Sequence, residues 1–237
     1  MANIDRELDE CPVKVAIGKT ILEGDLCMTA NAPGLVVFVH GSGSSRKSPR
    51  NRYVAQLIRQ AGLATLLFDL LTVEEETADL KTGRYRFDIR LLANRIIGTT
   101  AWLKQTPETK NIAIGYFGAS TGAAAALLAA AEHPGDVAAV VSRGGRPDLA
   151  RSALPYVKSP TLLIVGGRDL PVIAMNRDAY NELHTEKKLI VIPGATHLFE
   201  EPGALEEVAR LSNNWFVNYL ASKQVVSAAA TSSNKWN

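Results

Sequence analysis

The chain contains little cysteine, carries little net charge and has no long hydrophobic run. Its 237 residues include two cysteines, Cys11 and Cys27, which lack metal-ligand spacing and are expected to be buried thiols. A net charge of +2 provides no broad field that would attract nucleic acid or an anionic membrane. No apolar run is long enough to span a bilayer, and the polar N-terminus has no apolar signal core. We therefore expect a cytoplasmic protein with neither nucleic acid nor membrane as a partner.

Apolar segments of strand length recur along the chain. Hydrophobic residues make up 46% of the sequence, which supports a sizeable core. From the third strand onward, strands alternate with helix-like segments, an order that predicts a parallel sheet with helices on both faces. We predict one α/β domain over residues 1–222, followed by a frayed tail over residues 223–237. The eight predicted strands cover residues 13–17, 20–30, 34–40, 64–69, 112–117, 137–142, 161–166 and 188–192.

The region between the fourth and fifth strands contains a polar run followed by an amphipathic run. Residues 72–83 include three consecutive glutamates, which favours a solvated loop over a ligand site. Residues 85–106 have helical spacing. Other helices are predicted over residues 51–61, 171–184 and 203–220, with one more directly after the fifth strand.

A sharp turn is predicted where the fifth strand meets its helix. The segment Gly118-Ala119-Ser120-Thr121-Gly122 fits the pattern G-x-S-x-G, which presents a serine at a strained strand-to-helix turn above a parallel sheet. We expect a positive φ at Ser120 and close passage of strand and helix at the two glycines. Ser120 is the candidate nucleophile. The alternative is a glycine-rich turn with a structural role only.

Two further polar residues follow strands that end at the same edge of the predicted sheet. His197 follows the last strand, and Asp169 follows the strand before it. Open parallel sheets bind ligands at the carboxyl ends of their strands, and a nucleophilic serine needs a base and a carboxylate that orients it. We therefore predict a triad of Ser120, Asp169 and His197. Asp148 is the alternative acid, although it is expected instead to cap a helix that begins at Leu149.

The loop after the third strand, His40-Gly41-Ser42-Gly43-Ser44-Ser45, is rich in small residues. In serine sites of this kind, one oxyanion N–H comes from this loop and the other from the residue after the nucleophile. Ser42 and Thr121 are therefore the predicted donors. The alternative is a turn that is rich in glycine and serine for conformational reasons. The spacing does not match a dinucleotide-binding fingerprint.

Several cations follow the strands that lead to this edge. Arg143 is the foremost, because it lies one residue beyond the apolar run of the sixth strand. An arginine there can bind a carboxylate through paired hydrogen bonds, which would favour a negatively charged substrate. The alternative is that these cations are solvated or paired with carboxylates. The others are Arg46, Lys47, Arg50, Arg52 and Arg146.

Taken together, the four motifs around His40, Ser120, Asp169 and His197 resemble the α/β-hydrolase superfamily, and within it the small dienelactone-hydrolase-like members. The resemblance implies an α/β-hydrolase fold with an eight-stranded, mostly parallel sheet, helices on both faces and no cap domain. One departure matters, because dienelactone hydrolase itself has a cysteine at the position of Ser120. The resemblance therefore implies a carboxylesterase-like activity more safely than a dienelactone substrate.

The expected activity is that of a serine hydrolase acting on a small-molecule ester, thioester or similar acyl bond, with no metal or cofactor. Two alternatives stay open. The same fold and triad can serve a lyase or an acyltransferase, and a non-catalytic ligand-binding protein can retain the turn at Ser120. We expect a monomer or a small homo-oligomer.

Overall fold

A mixed sheet organises the computed structural model, which describes residues 10–233. Within those residues it has eight strands in the order β1-β2-β4-β3-β5-β6-β7-β8. The pairs β1–β2 and β2–β4 are antiparallel, and all other neighbouring pairs are parallel. The strands are β1 (Cys11–Ile17), β2 (Thr20–Cys27), β3 (Gly34–Val39), β4 (Ala64–Phe68), β5 (Ala113–Ala119), β6 (Ala139–Arg143), β7 (Thr161–Gly166) and β8 (Lys187–Ile192).

Helices cover both faces of this sheet. In the described part of the chain, α1 and α6 pack together on one face, while α3, α4, α5 and a 3₁₀ helix, η1, cover the other. The helices are α1 (Pro49–Gln60), α2 (Val73–Thr82), α3 (Ile89–Gln105), α4 (Thr121–Glu132), η1 (Pro147–Tyr156), α5 (Leu170–Glu182) and α6 (Ala204–Ser233).

The central strands are buried on both faces, which explains their nearly continuous apolar sequences. Every residue of β3, β4, β6 and β7 is buried. Because successive side chains of a strand point to opposite faces, Tyr116 and Phe117 of β5 enter different cores. Phe117 packs in the core under α1 and α6, and Tyr116 packs in the core under α3 and α4. The β5 strand is thereby fixed from both sides just before Ser120.

The predicted fold class is confirmed: the eight strands follow in the predicted chain order, and the architecture is that of an α/β hydrolase, with no cap domain within the described residues. The prediction of a loop over residues 72–83 is wrong, because this segment forms α2. The Thr72 hydroxyl accepts a hydrogen bond from the Glu75 N–H (3.2 Å), and the Glu75 carboxylate accepts one from the Thr72 N–H (2.9 Å). This capping box starts the helix, and Gly83 ends it in a left-handed conformation. The acidic run lies in the first turn, where the helix dipole favours negative charge.

Two other predictions need correction or qualification. Cys27 is buried as expected, but Cys11 is exposed, because it begins β1, a strand at the edge of the sheet. The last helix continues past its predicted end at Leu220 to Ser233. The predicted tail from residue 223 is therefore helical as far as Ser233, and residues 234–237 lie outside the described residues. The domain boundary at residue 222 stays a prediction.

Candidate active site

The turn that carries Ser120 joins β5 to α4. Ser120 has φ 51° and ψ −122°, so the predicted positive φ is present, and its side chain makes no capping bond to α4. A Cβ at Gly118 would lie 2.5 Å from Ala123 Cα, and a Cβ at Gly122 would lie 2.3 Å from the Val39 carbonyl oxygen. Both obstacles are backbone atoms. Any larger residue at these two positions would push α4 away from β3 and β5, so the glycines are what permit the turn.

Backbone hydrogen bonds from β6 and the residues after it hold this turn in place. The Ser120 N–H donates to the Arg143 carbonyl oxygen (3.1 Å), and the Arg146 N–H donates to the Ser120 carbonyl oxygen (3.1 Å). A Cβ added at Gly41 would lie only 3.1 Å from Ser120 Cβ. The Ser120 side chain therefore emerges beside the loop that follows β3.

His197 and Asp169 are in contact. His197 Nδ1 lies 2.6 Å from Asp169 Oδ2, and the acid side chain is the more buried of the two, at 13% exposure against 39%. Asp169 occupies the N-cap position of α5 but makes no side-chain capping bond. Its carboxylate is therefore left to accept the Nδ1–H of His197, which fixes the imidazole as the tautomer with a basic Nε2.

Asp148, the alternative acid, is engaged elsewhere. Its two carboxylate oxygens accept hydrogen bonds from Arg146 Nε (2.9 Å) and Nη2 (2.8 Å). It lies in the first turn of η1, where the N-cap residue is Arg146 and there is no side-chain capping bond. The expectation that Asp148 caps a helix is therefore wrong. The geometry favours Asp169 as the partner of the imidazole.

The loop that carries His197 is docked on the end of β7. The Arg168 N–H donates to the Ala195 carbonyl oxygen (2.9 Å), and the Thr196 N–H donates to both oxygens of Glu201 (3.0 Å each). The Thr196 hydroxyl and N–H lower the pKa of the Glu201 carboxyl by stabilising its charged form. The loop is thus closed on itself by Glu201 on one side and anchored to the sheet on the other.

The two residues predicted to supply the oxyanion donors are in contact with each other, and the contact involves the side chain of Thr121. The Ser42 N–H donates to Thr121 Oγ1 at 2.8 Å, and Thr121 is the first residue of α4, buried at 4% exposure. Reasoning from sequence considered only the backbone N–H of Thr121 and missed its hydroxyl. A threonine directly after the candidate nucleophile was the available signal.

His40, directly after β3, is a buried histidine that is not part of the proposed triad. Its Nδ1–H donates to the Gly41 carbonyl oxygen (3.0 Å), and its Nε2 accepts from the Leu70 N–H (3.1 Å). Burial lowers the pKa of His40, so the ring is neutral. It ties the ends of β3 and β4 together at the start of the loop that follows β3.

Arg143 is the one predicted substrate-binding residue, and its environment is unusual. It is 7% exposed, and its buried Nε and Nη1 have no hydrogen-bond partner among the described residues. Burial, followed by repulsion from Arg50, lowers the pKa of Arg143 to about 10. Arg50 itself pairs with Glu200 (2.8 Å). The remaining cations noted in the sequence pair with carboxylates: Arg46, Lys47, Arg52 and Arg146.

A cavity of about 90 Å³ lies between the loop that follows β3 and helix α2. Ser42 and Gly43 line it from that loop, and Asp79 and Arg86 also line it. Arg86 is fixed there, because its Nε donates to the Asp79 carboxylate (2.5 Å) and its Nη2 to the Asp79 carbonyl oxygen (2.8 Å). The space next to the candidate oxyanion site is mostly apolar, since four leucines line it: Leu70, Leu71, Leu80 and Leu92.

Within residues 10–233, no group of three or more histidine, cysteine or acidic side chains is arranged to hold a metal ion. None of the helices in the same range combines the length and apolar character that crossing a bilayer needs.

The model of the dienelactone hydrolase family matches residues 23–227, which is most of the chain and includes every site residue above. The chain belongs to the dienelactone hydrolase family. The resemblance inferred from the motifs is therefore confirmed, and the chain has the α/β-hydrolase fold.

Solved structures agree with this assignment. The crystal structure of a dienelactone hydrolase from Anabaena variabilis is 63% identical, with a TM-score of 0.88 over 89% of this chain and 98% of that one. Est1E from Butyrivibrio proteoclasticus shares the fold at 16% identity, with a TM-score of 0.74 over 89% of this chain and 99% of that one.

Among curated proteins, two sequences from Mycobacterium tuberculosis strains CDC 1551 and H37Rv are 53% identical over 219 residues, which is 92% of this chain and 48% of theirs. Both carry the provisional name of a phosphoribosyl transferase. The chain spans about half the length of the curated relatives it matches.

Proposed function

We propose that this hydrolase cleaves an ester, thioester or similar acyl bond through an acyl-enzyme on Ser120. The observation that carries the proposal is the 2.6 Å contact between His197 Nδ1 and Asp169 Oδ2, at the sheet edge where Ser120 stands in its strained turn. A serine, a histidine and a carboxylate in these roles form a nucleophile with its base and the group that orients the base.

The chemistry follows from these roles. Ser120 Oγ attacks the acyl carbon while His197 Nε2 takes the hydroxyl proton, and a tetrahedral intermediate forms with its negative charge on the former carbonyl oxygen. Collapse of the intermediate breaks the bond to the leaving group, which receives the proton from His197. Water then attacks the acyl-enzyme by the same route and releases the acid and free Ser120. Asp169 stays ionised and stabilises the imidazolium in both halves.

Arg143 supports a finer proposal about the substrate, that it carries a negative charge close to the acyl carbon. A buried cation without a partner is unfavourable, so an anion that pairs with Arg143 would gain binding energy from a group already desolvated. Arg143 also adjoins the nucleophile directly, because its carbonyl oxygen accepts the Ser120 N–H. Arg50, the cation that repels Arg143, is itself paired with Glu200, so Arg143 is the one of the six cations singled out in the sequence that has no carboxylate partner among the described residues.

The test is covalent labelling combined with product analysis. A fluorophosphonate probe should label the wild type at Ser120, and p-nitrophenyl esters should be hydrolysed to the acid and p-nitrophenol. Ser120→Ala should abolish labelling and lower kcat/KM by several orders of magnitude while the circular dichroism spectrum stays that of the wild type. Ser45→Ala, in the loop after β3 but outside the proposed machinery, is the matched control.

Each contrary result points to a specific alternative. No labelling of the folded wild type would favour a ligand-binding protein without an activated serine. Labelling with transfer of the acyl group to an alcohol, or elimination in place of hydrolysis, would favour an acyltransferase or a lyase. Normal hydrolysis by folded Ser120→Ala would mean that Ser120 is not the nucleophile.

A further inference from the structure

The hydroxyl of Thr121 accepts a hydrogen bond, but among the described residues it has no acceptor for its own proton. Thr121 Oγ1 accepts the Ser42 N–H at 2.8 Å, and the structure provides it with no acceptor among residues 10–233. Threonines inside helices commonly donate to the carbonyl four residues earlier, as Thr99 does to Arg95 (2.8 Å). Thr121 is the first residue of α4, so no helical carbonyl precedes it. A buried O–H donor is therefore left beside the nucleophile.

From this contact we infer that Thr121 supplies two donors to the oxyanion hole, its backbone N–H and its side-chain hydroxyl. The inference rests on the proposed acyl-transfer function and deepens it. In this arrangement the Ser42 N–H does not contact the oxyanion itself. It acts through the Thr121 hydroxyl, as a positioning group. It holds Thr121 Oγ1 in place by donating to a lone pair, and the hydroxyl proton is then directed to the remaining acceptor, the oxyanion.

The arrangement has a physical advantage over two separate backbone donors. Hydrogen bonds in a chain polarise one another, so the N–H that enters Thr121 Oγ1 makes the O–H a stronger donor. A hydroxyl that donates to an anionic oxygen forms one of the shorter and stronger hydrogen bonds available to a protein. The bond strengthens as negative charge develops, so it lowers the barrier more than it tightens substrate binding. The proton stays on Thr121 throughout.

The experiment compares Thr121→Val, which removes the hydroxyl at nearly constant shape, with Thr121→Ser, which retains it. Losing one oxyanion donor typically costs about 10²–10³ in kcat, so Thr121→Val should show that loss with KM nearly unchanged, and Thr121→Ser should stay close to the wild type. Thr99→Val is the matched control, because it removes a buried hydroxyl whose proton is already bound to a helix carbonyl. Thr121→Ala repeats the deletion should Thr121→Val fail to fold.

A second measurement separates a catalytic from a structural role. A trifluoromethyl ketone forms a tetrahedral adduct with an activated serine, and its Ki should rise in Thr121→Val by the same factor as kcat/KM falls. Unchanged kcat and Ki in a folded variant would overturn the inference. A higher kcat would also overturn it, since the hydroxyl would then be an occupant that blocks the Ser42 N–H. An inactive and unlabelled wild type would instead refute the proposed function itself.

Discussion

Replacing Arg143 with methionine should stabilise the protein and at the same time weaken its selectivity for anionic substrates. Methionine is flexible and of similar length, so it can fill the space that the arginine stem occupies. The substitution removes a buried cation whose Nε and Nη1 have no partner among the described residues. Stability and function are therefore expected to move in opposite directions at this one position.

The size of the effect follows from the lowered pKa of Arg143, about 10 against an ordinary 12.5. A difference of this size means that the native protein disfavours the charged form by about 3 kcal/mol. Because the folded pKa lies below the unfolded one, the penalty is complete below pH 10 and falls as the pH rises from 10 to 12.5. Imperfect packing of methionine takes part of the gain, so we expect a net stabilisation of about 2 kcal/mol. For a domain of this size that is roughly 4–8 °C in Tm.

The assay pairs thermal unfolding at pH 7.5 with kinetics on two esters of matched size, one neutral and one bearing a carboxylate. A hydrogen bond to a charged group is worth about 1.5–3 kcal/mol, so Arg143→Met should lower kcat/KM for the anionic ester by roughly 10–100-fold. The neutral ester should be unaffected. Arg146→Met is the control, because Arg146 is partly exposed and already paired with Asp148. It should change neither Tm by more than a degree or two nor the selectivity.

Two outcomes would refute the reasoning about Arg143. Equal losses on both esters would show that it supports the active site in general and does not bind the charge of the substrate. A lower Tm in Arg143→Met would show that the guanidinium makes stabilising contacts that its buried, unpartnered atoms do not reveal.

Asp169→Asn should lower kcat by about 10³–10⁴-fold, because the amide favours the wrong imidazole tautomer. Asp148→Asn should lower kcat only a few-fold. If ester kinetics show the larger loss in Asp148→Asn, Asp148 is the acid. Burial lowers the pKa of His40 below its ordinary 6.5, so its stabilising contribution is complete above pH 6.5 and is lost as the pH falls from 6.5 towards the folded pKa. Urea unfolding from pH 8 to 5 should therefore show a decline that is shallower in His40→Gln, and identical slopes would mean that His40 does not contribute.

The sequence was sufficient to predict the sheet and the contact between Asp169 and His197, because both depend on local signals. Buried strands such as β7 are short apolar runs ended by glycine, and the carboxyl ends of parallel strands necessarily meet at one edge. Asp169 follows β7 and His197 follows β8, two adjacent parallel strands, so their contact could be inferred without any knowledge of side-chain positions. Gly118 and Gly122, on either side of Ser120, indicated a turn in which strand and helix pass too closely for larger side chains.

The errors have different physical causes. For α2, the prediction rested on the acidic run alone and did not use the capping signal Thr72-x-x-Glu75; the helix N-terminus in fact stabilises that acidic run. The contact between Ser42 and Thr121 joins residues 79 positions apart and depends on a rotamer, which no local pattern encodes. Whether a cation at a strand end is paired or alone likewise depends on which carboxylates approach in three dimensions. Arg143 and Arg146 look alike in sequence and differ in this respect.

The order of strands separates the proposed catalytic groups by how firmly they are held. Ser120 follows β5, which has strand neighbours on both sides and cores on both faces. His197 follows β8, the last strand of the sheet, which among the described residues pairs with β7 alone and is mostly not fully buried. Proteins open locally at such margins well before they unfold as a whole. On heating, β8 should therefore open first and move His197 away from Ser120, which β5 still holds in place. Activity would then be lost while most of the sheet is still protected from hydrogen exchange.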